Sequence, residues 1–169
     1  MNTNPITELD AVNIILDNDG EAPVASLDEA GFDEAAGAQA VLEEISRTVQ
    51  DGGWAFNTDF NRKLSPDLNG DIVLPADTLW VKPTYVDEAM TVVERGRKLY
   101  DLVNNTYTFT QAVHLDICQM LDFADLPSAA RYYITLRAAR VYQARSTGSG
   151  SQNAFTESDE ARAQASLKK

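Results

Sequence analysis

His114 and Cys118 are the sole histidine and the sole cysteine among 169 residues, and their spacing decides what they can do together. A cysteine nucleophile needs a base within hydrogen-bond reach. Residues four apart meet on a helix, but on a strand they share a face about 13 Å apart. Val113, Leu115 and Ile117 alternate with His114, Asp116 and Cys118, which is the strand period. The pair therefore reads as structural, and no catalytic residue is assigned.

Other chemistry fares no better. One histidine and one cysteine cannot complete a zinc site. Asp17-Asn18-Asp19-Gly20-Glu21 has a superficial likeness to a calcium loop. With Gly20 at the loop glycine, however, Ile15 takes the first ligand position and Ser26 the last, where an acid and a glutamate are required. The segment reads better as a helix stop. With 26 acidic residues, some pair must fall at the separation used in glycoside hydrolysis, and nothing raises one pair above the rest. No phosphate loop or dinucleotide fingerprint is present. No metal and no cofactor are expected. Arg95, Arg97 and Lys98 around Gly96 read as a polar hairpin turn.

The formal net charge of -12 argues against a protein that clamps nucleic acid, which must neutralise phosphates with Lys and Arg. An acidic surface can still line a passage for DNA, since repulsion keeps the polyanion from sticking. Met1 to Ser46 hold 11 acidic residues and no Lys or Arg, whereas Asp122 to Lys169 hold 5 acidic and 7 basic. Two such ends are candidate complementary surfaces, within a chain or between neighbours in a ring. Arg131, Arg137, Arg140 and Arg145 fan around one helix and are candidates for partner contact, because the planar guanidinium binds carboxylates with two hydrogen bonds. Solvated surface with intrachain pairing is the equally weighted alternative. No apolar run approaches the roughly 20 residues that span a bilayer. The N-terminus lacks the basic segment and apolar core of a signal peptide, and one cysteine excludes an intrachain disulfide. A soluble protein made in a cytoplasm is expected.

The elements that position these residues can be read from period and punctuation. Thr7 and Asp10 form an approximate capping box for a helix over 7–19, which Gly20 stops; 21–24 reads as an extended connector. Ala38, Val41, Leu42, Ile45 and Val49 mark a helix over 33–50. Between 54 and 121 the period shortens. Strands are expected at Trp54–Thr58, Asp71–Leu74, Thr78–Lys82, Met90–Glu94, Leu99–Val103, Thr106–Thr110 and Ala112–Leu121, with hairpin turns at Asn69-Gly70 and Asn104-Asn105. Asp125 and Pro127 open a helix over 126–146, with Ala130, Tyr133, Ile134, Ala138 and Val141 as its buried stripe. Gly148-Ser149-Gly150 reads as a flexible linker. A last helix, about 156–167, has little apolar surface beyond Phe155 and Leu167, and is expected to dock on a partner or stay mobile. The fold class is α+β: N- and C-terminal helices packed as a bundle, with a central antiparallel β-hairpin region. Residues 1–147 are expected as a single domain, with 148–169 as linker and docking helix.

Several of these segments resemble one family. Asp10-Ala11-Val12-Asn13 followed by Gly20-Glu21-Ala22-Pro23-Val24 is similar to the opening of tail tubular protein A, the head-to-tail adaptor of T7-like short-tailed bacteriophages. Gly53-Trp54-Ala55-Phe56-Asn57-Thr58, Leu74-Pro75-Ala76, Leu99-Tyr100-Asp101 and Tyr107-Thr108-Phe109 continue the match in order. Asp125 to Arg131, Tyr133-Ile134-Thr135 and Arg137 to Gln143 form its closest stretch, and Phe155 with Asp159-Glu160 resembles the ending. The resemblance covers nearly the whole chain through order and spacing rather than one specific motif. It implies a virion protein at the head–tail interface, made in the host bacterial cytoplasm. It implies a twelve-fold ring between the portal protein and the tail nozzle protein (tail tubular protein B type), around the DNA exit channel. Arg131, Arg137, Arg140, Arg145, Phe155, Lys168 and Lys169 are the candidate portal and inter-subunit contacts. Pro66, Asp67, Leu68, Asn69 and Gly70 are the candidate nozzle-side tip. No membrane contact and no specific DNA binding are expected. The rival readings are a virion-associated glycan hydrolase built on two carboxylates, and a small cytoplasmic binding module.

Overall fold

The structure, a computed structural model, describes residues 6–28, 33–84, 90–146 and 157–168. Phe155, Lys169 and the expected linker at 148–150 lie outside the described residues. The fold is α+β. Its contacts group into two compact units: a helical one, Met1–Val49 with Asp122–Lys169, and a β-rich one, Gln50–Leu121.

The helical unit contains α1 (Glu8–Asp19), α2 (Asp33–Gln50, whose last residue opens the β unit), a 3-10 turn (Phe123–Asp125), α3 (Ser128–Ser146) and α4 (Glu157–Leu167). The capping box of α1 is complete. Thr7 Oγ1 accepts from the Asp10 amide at 3.1 Å, and the Thr7 amide donates back to the Asp10 carboxylate at 2.9 Å, so two orphan donors are satisfied reciprocally. Gly20 ends α1 in the left-handed conformation, φ 85°, which lacks the Cβ penalty other residues meet there. The connector that follows is held by Asn13, whose side-chain amide both donates to the Val24 carbonyl and accepts from its amide.

Packing of α3 against α1 and α4 buries more of it than the expected stripe. Thr135, Leu136, Ala139 and Gln143 are buried alongside Ala130, Tyr133, Ile134 and Ala138, and Val141 is only half-buried. The helix starts at Ser128 rather than at 126, because Asp125 belongs to the preceding 3-10 turn. The Pro127 carbonyl accepts the first helical hydrogen bond, from Arg131, so proline sits where no amide donor is needed.

The β unit contains β1 (Thr58–Leu64), β2 (Thr78–Pro83), β3 (Val92–Arg95), β4 (Lys98–Asp101) and β5 (Val113–Gln119). β5 is the centre of a three-stranded antiparallel sheet, β1-β5-β2, and β3 pairs with β4 as a separate hairpin. Central placement explains why β5 is the most buried strand, and edge placement explains why β2 tolerates Pro83. The core gathers Ile72, Leu74, Val92, Leu99, Phe109, Val113, Leu115 and Ile117. The unit begins and ends at one point: the Gln50 side chain donates to the Leu121 carbonyl at 3.0 Å and accepts from the Leu121 amide at 2.8 Å.

Three expected strand features differ. Trp54 to Asn57 is a turn, and the ladder starts at Thr58. Gly53 takes φ 69°, and the Asn57 carboxamide accepts the Trp54 amide at 2.8 Å, so a side chain captures the donor a strand would have used. Asp71 to Leu74 makes only isolated bridges, Asp71 to Thr108 and Val73 to Lys98. The Asn69-Gly70 turn is real, and the Asp67 amide donates to the Asp71 carbonyl across it, but the ladder bridges of the segment after it go to Thr108 and Lys98. At Asn104-Asn105 the expected hairpin shrinks to one bridge, Asp101 to Thr106, because the Asp101 carboxylate takes the amides of Val103 and Asn104 at 2.8 and 3.0 Å.

Candidate interaction surfaces

His114 and Cys118 both lie on β5, where the alternation places them. Cys118 is fully buried. Its sulfur accepts from Asn57 Nδ2 at 3.3 Å and its thiol donates to the Gln50 carbonyl at 3.4 Å. Burial pushes the thiol above its ordinary value, which disfavours the thiolate that nucleophilic chemistry needs. His114 faces Lys63 of β1 in the ladder, and its carbonyl accepts the Thr84 amide. Both residues belong to the central strand of the β unit. Among the described residues no group of three His, Cys, Asp or Glu could hold a metal ion.

The acidic side chains divide into anchored and gathered ones. Asp101, though a buried acid, is held by the Asn104 side chain and by the Asn104 and Val103 amides. These hydrogen bonds keep its carboxyl below the ordinary carboxylate range. Asp17 and Asp19 close α1 with no cation in its last turn. A helix C-terminus already carries partial negative charge, so this end is doubly negative. Burial raises the Tyr142 hydroxyl above its ordinary value, and the charges of Asp19, Glu21 and Glu34 raise it further. These carboxylates therefore converge on one end of the helical unit, where Tyr142 donates to the Glu34 carbonyl at 3.2 Å and Ser146 to Asp19 at 2.6 Å.

Each of the four candidate arginines has a partner inside the chain. Arg131 donates to the carbonyls of Leu126 and Ile6 at 2.9 and 3.1 Å, fixing the segment before α1 against the start of α3. Arg137 reaches Tyr133 Oη and lies 3.8 Å from the Glu160 carboxylate. Arg140 pairs with Glu160 and, at 3.6 Å, with Glu157. Arg145 makes two parallel hydrogen bonds of 2.8 Å to Glu44. Arg137 and Arg140 pair α3 with α4, on which Ala163 is the buried residue. Lys168 is exposed just past α4.

The Pro66–Gly70 tip is a rigid turn. Asp67 Oδ1 accepts the amides of Asn69 and Asp71 at 2.8 and 3.0 Å, and the Gly70 amide donates to the Asp67 carbonyl. Gly70 is required twice. Its φ is 84°, and a Cβ there would stand 2.6 Å from Thr108 Cγ2. The turn presents Leu68 wholly to solvent.

Near this tip lies a surface the sequence did not reveal. Val73 and Tyr107 are 56% and 40% exposed. Val73 bridges to Lys98, and Lys98 pairs with Asp71 at 2.5 Å. Tyr107 meets Tyr100 edge-on at 4.7 Å between ring centres, and the Arg95 guanidinium lies 4.0 Å over the Tyr100 ring. The nearby charge of Asp67, after the dominant effect of Asp71, helps raise the Lys98 ammonium above its usual range, which ties the tip to this face. Period two in Lys98 to Asp101 was the available signal, since it puts Lys98 and Tyr100 on one face. What lay across from them was not readable from spacing.

Two comparisons bear on what such surfaces serve. Residues 9–169 match the family model described as tail tubular protein. The chain is also 33% identical over 136 residues to tail tubular protein A of Klebsiella phage KP34, covering 80% of this chain and 71% of that protein. A match of that extent carries the helical and β units together, and the chain belongs to the tail tubular protein family, structural proteins of the bacteriophage tail.

Proposed function

We propose that the protein is a head-to-tail adaptor subunit, twelve copies of which form a ring that joins the portal protein to the tail nozzle protein and continues the DNA exit channel. Family membership over residues 9–169 carries this reading. The charge distribution supports it: a net charge of -12 suits a wall that DNA passes without binding. Its work is contact rather than catalysis. The buried, proton-retaining Cys118 and the internally satisfied Asp101 support that part of the reading.

The portal side is assigned to α3, α4 and the residues around them, with Arg131, Arg137, Arg140, Arg145, Phe155, Lys168 and Lys169 as candidates. Arg137 and Arg140 already hold Glu157 and Glu160, so portal carboxylates reach them by replacing α4. The nozzle side is assigned to the Pro66–Gly70 tip, where Leu68 is fully exposed on a turn that costs little entropy to fix. Mass measurement of the purified chain with and without portal rings tests the whole proposal. A discrete complex with one adaptor ring per portal is expected. A chain that stays monomeric and ignores the portal sinks it.

A further inference from the structure

We infer that the β3–β4 hairpin face, built on Arg95, Arg97 and Tyr100, docks on the acidic end of α1 in a second copy of this chain. The inference rests on the ring-subunit reading for the identity of that partner. The four α3 arginines are paired within the chain, which is one of the two alternatives for the basic last quarter, so the hairpin supplies the cations for a contact between copies.

The hairpin face has the composition of an interface centre. Tyrosine and arginine carry disproportionate binding energy where they are fixed and become desolvated. Here Arg95 is held over Tyr100, Tyr100 against Tyr107, and the exposed Val73 lies beside Lys98. The ladder register opposes Val93 to Tyr100 and Arg95 to Lys98, so two cations share one hairpin face with an aromatic and an aliphatic side chain. Arg97 sits at the turn with φ 62°, exposed and with no ion pair among the described residues. Three cations within four residues are exceptional in a chain of this net charge. Asp71, outside the hairpin, offsets Lys98, and Glu94 is an exposed carboxylate of β3.

The acidic end of α1 is the matching surface. Asp17 and Glu21 are exposed, α1 has no cation in its last turn, and Glu34 belongs to the same gathering around Tyr142. Carboxylates at a helix C-terminus oppose the helix dipole. Guanidinium groups arriving there would relieve that opposition. Because the two surfaces are different, the contact is head-to-tail, and a head-to-tail contact propagates or closes into a ring.

The test is sedimentation of the intact chain over a concentration series at about 50 mM and about 500 mM salt, alone and with portal rings. Wild type should self-associate and weaken at high salt. R95E/R97E and D17K/E21K should each reduce association about tenfold or more. Mixing the two should restore pairs, and the quadruple variant should recover homotypic association. D17K/E21K puts lysines where the helix dipole favours them, so loss of association there does not reflect lost folding. Tyr100→Ala, with its circular dichroism unchanged, gives a second reading without a charge change and should also weaken association. Wild-type rings on the portal with both charge variants assembling equally well would overturn this contact and leave the ring reading standing. So would a quadruple variant that fails to recover. A wild-type chain monomeric even with portal would overturn both.

Discussion

The helical unit and the β unit treat their cations differently. In the helical unit the four arginines of α3 reach across to carboxylates or carbonyls of neighbouring segments: Glu44 on α2, Glu157 and Glu160 on α4, Leu126 and Ile6 before the helices. In the β unit three cations lie over a ring or pair locally: Lys82 over Trp80 at 4.5 Å, Arg95 over Tyr100 and Arg62 on Asp59. Lys98 pairs with Asp71, distant in sequence, and Arg97 is exposed at its turn. Side chains that radiate from a helix meet the next helix, so pairing is settled within the fold. Side chains that stand on a two-stranded hairpin have one occupied neighbour row and an open outer face. Both units close over apolar cores; the helical unit also settles its α3 arginines within the fold, whereas the β unit leaves cations such as Arg97 facing outward.

The largest expected effect would break that contrast at the core. Leu115 is fully buried in the central strand β5. Leu115→Ala removes its packing and leaves a cavity, costing about 2–5 kcal/mol. Hydrogen exchange should show amides of β1, β2 and β5 losing protection first, with α1 and α3 retaining theirs. Equal loss in both units would mean that the division into two compact units has no energetic counterpart.

A smaller effect sharpens the electrostatic half. Glu157 and Glu160 tie α4 to α3 through Arg137 and Arg140, while Ala163 supplies its recorded buried contact. Arg140→Ala should weaken the docking of α4 by about 1 kcal/mol, the scale of partly exposed pairs. Raising the salt should produce part of the same loss in wild type and little further loss in the variant. Exchange rates of the α4 amides measure it. Protection of α4 that ignores both salt and the substitution would show that apolar packing holds the helix.

The same contrast explains what the sequence disclosed. α1 and α2 were legible because their signals are local: Thr7, Asp10 and Gly20 at the ends, and the stripe from Ala38 to Val49 inside. α3 was legible in extent but not in burial. It packs on several sides, so Thr135 and Gln143 are buried where an amphipathic pattern expects polar surface. In the β unit β2, β3 and β4 were legible as short strands between turn signals, and β5 from alternation. The segment from Trp54 to Asn57 was not, since the Asn57 carboxamide claims a backbone donor, a choice set by Gln50 and Gln119 around it. Strand order was equally hidden. Nothing in Asn69-Gly70 says that the chain beyond the turn will return to Lys98 and Thr108. Of the candidate site, the Pro66–Gly70 tip was readable as a turn, and the basic cluster at Arg95 as a hairpin. The aromatic face joining them depends on which strands lie side by side.

The smallest effect concerns a group that belongs to neither pattern, the buried Asp101. Its carboxyl is held below the ordinary value of 3.8 first by the Asn104 side chain, then by the amides of Asn104 and Val103. A carboxylate depressed in the folded state contributes stability that is present above its unfolded value and is lost as pH falls through its folded value. The β unit should therefore lose this contribution only below about pH 3.8. Asn104→Ala removes the 2.7 Å side-chain hydrogen bond. The Asp101 titration, followed by carbon NMR of its carboxyl, should then move up toward the ordinary value, and acid unfolding of β4 should begin at higher pH. The helical unit offers the control. Asp10 is likewise lowered, chiefly by the Thr7 amide, and its titration should not move in the Asn104→Ala chain. A shift at Asp10, or none at Asp101, would show that the turn after β4 does not set this carboxylate's proton affinity.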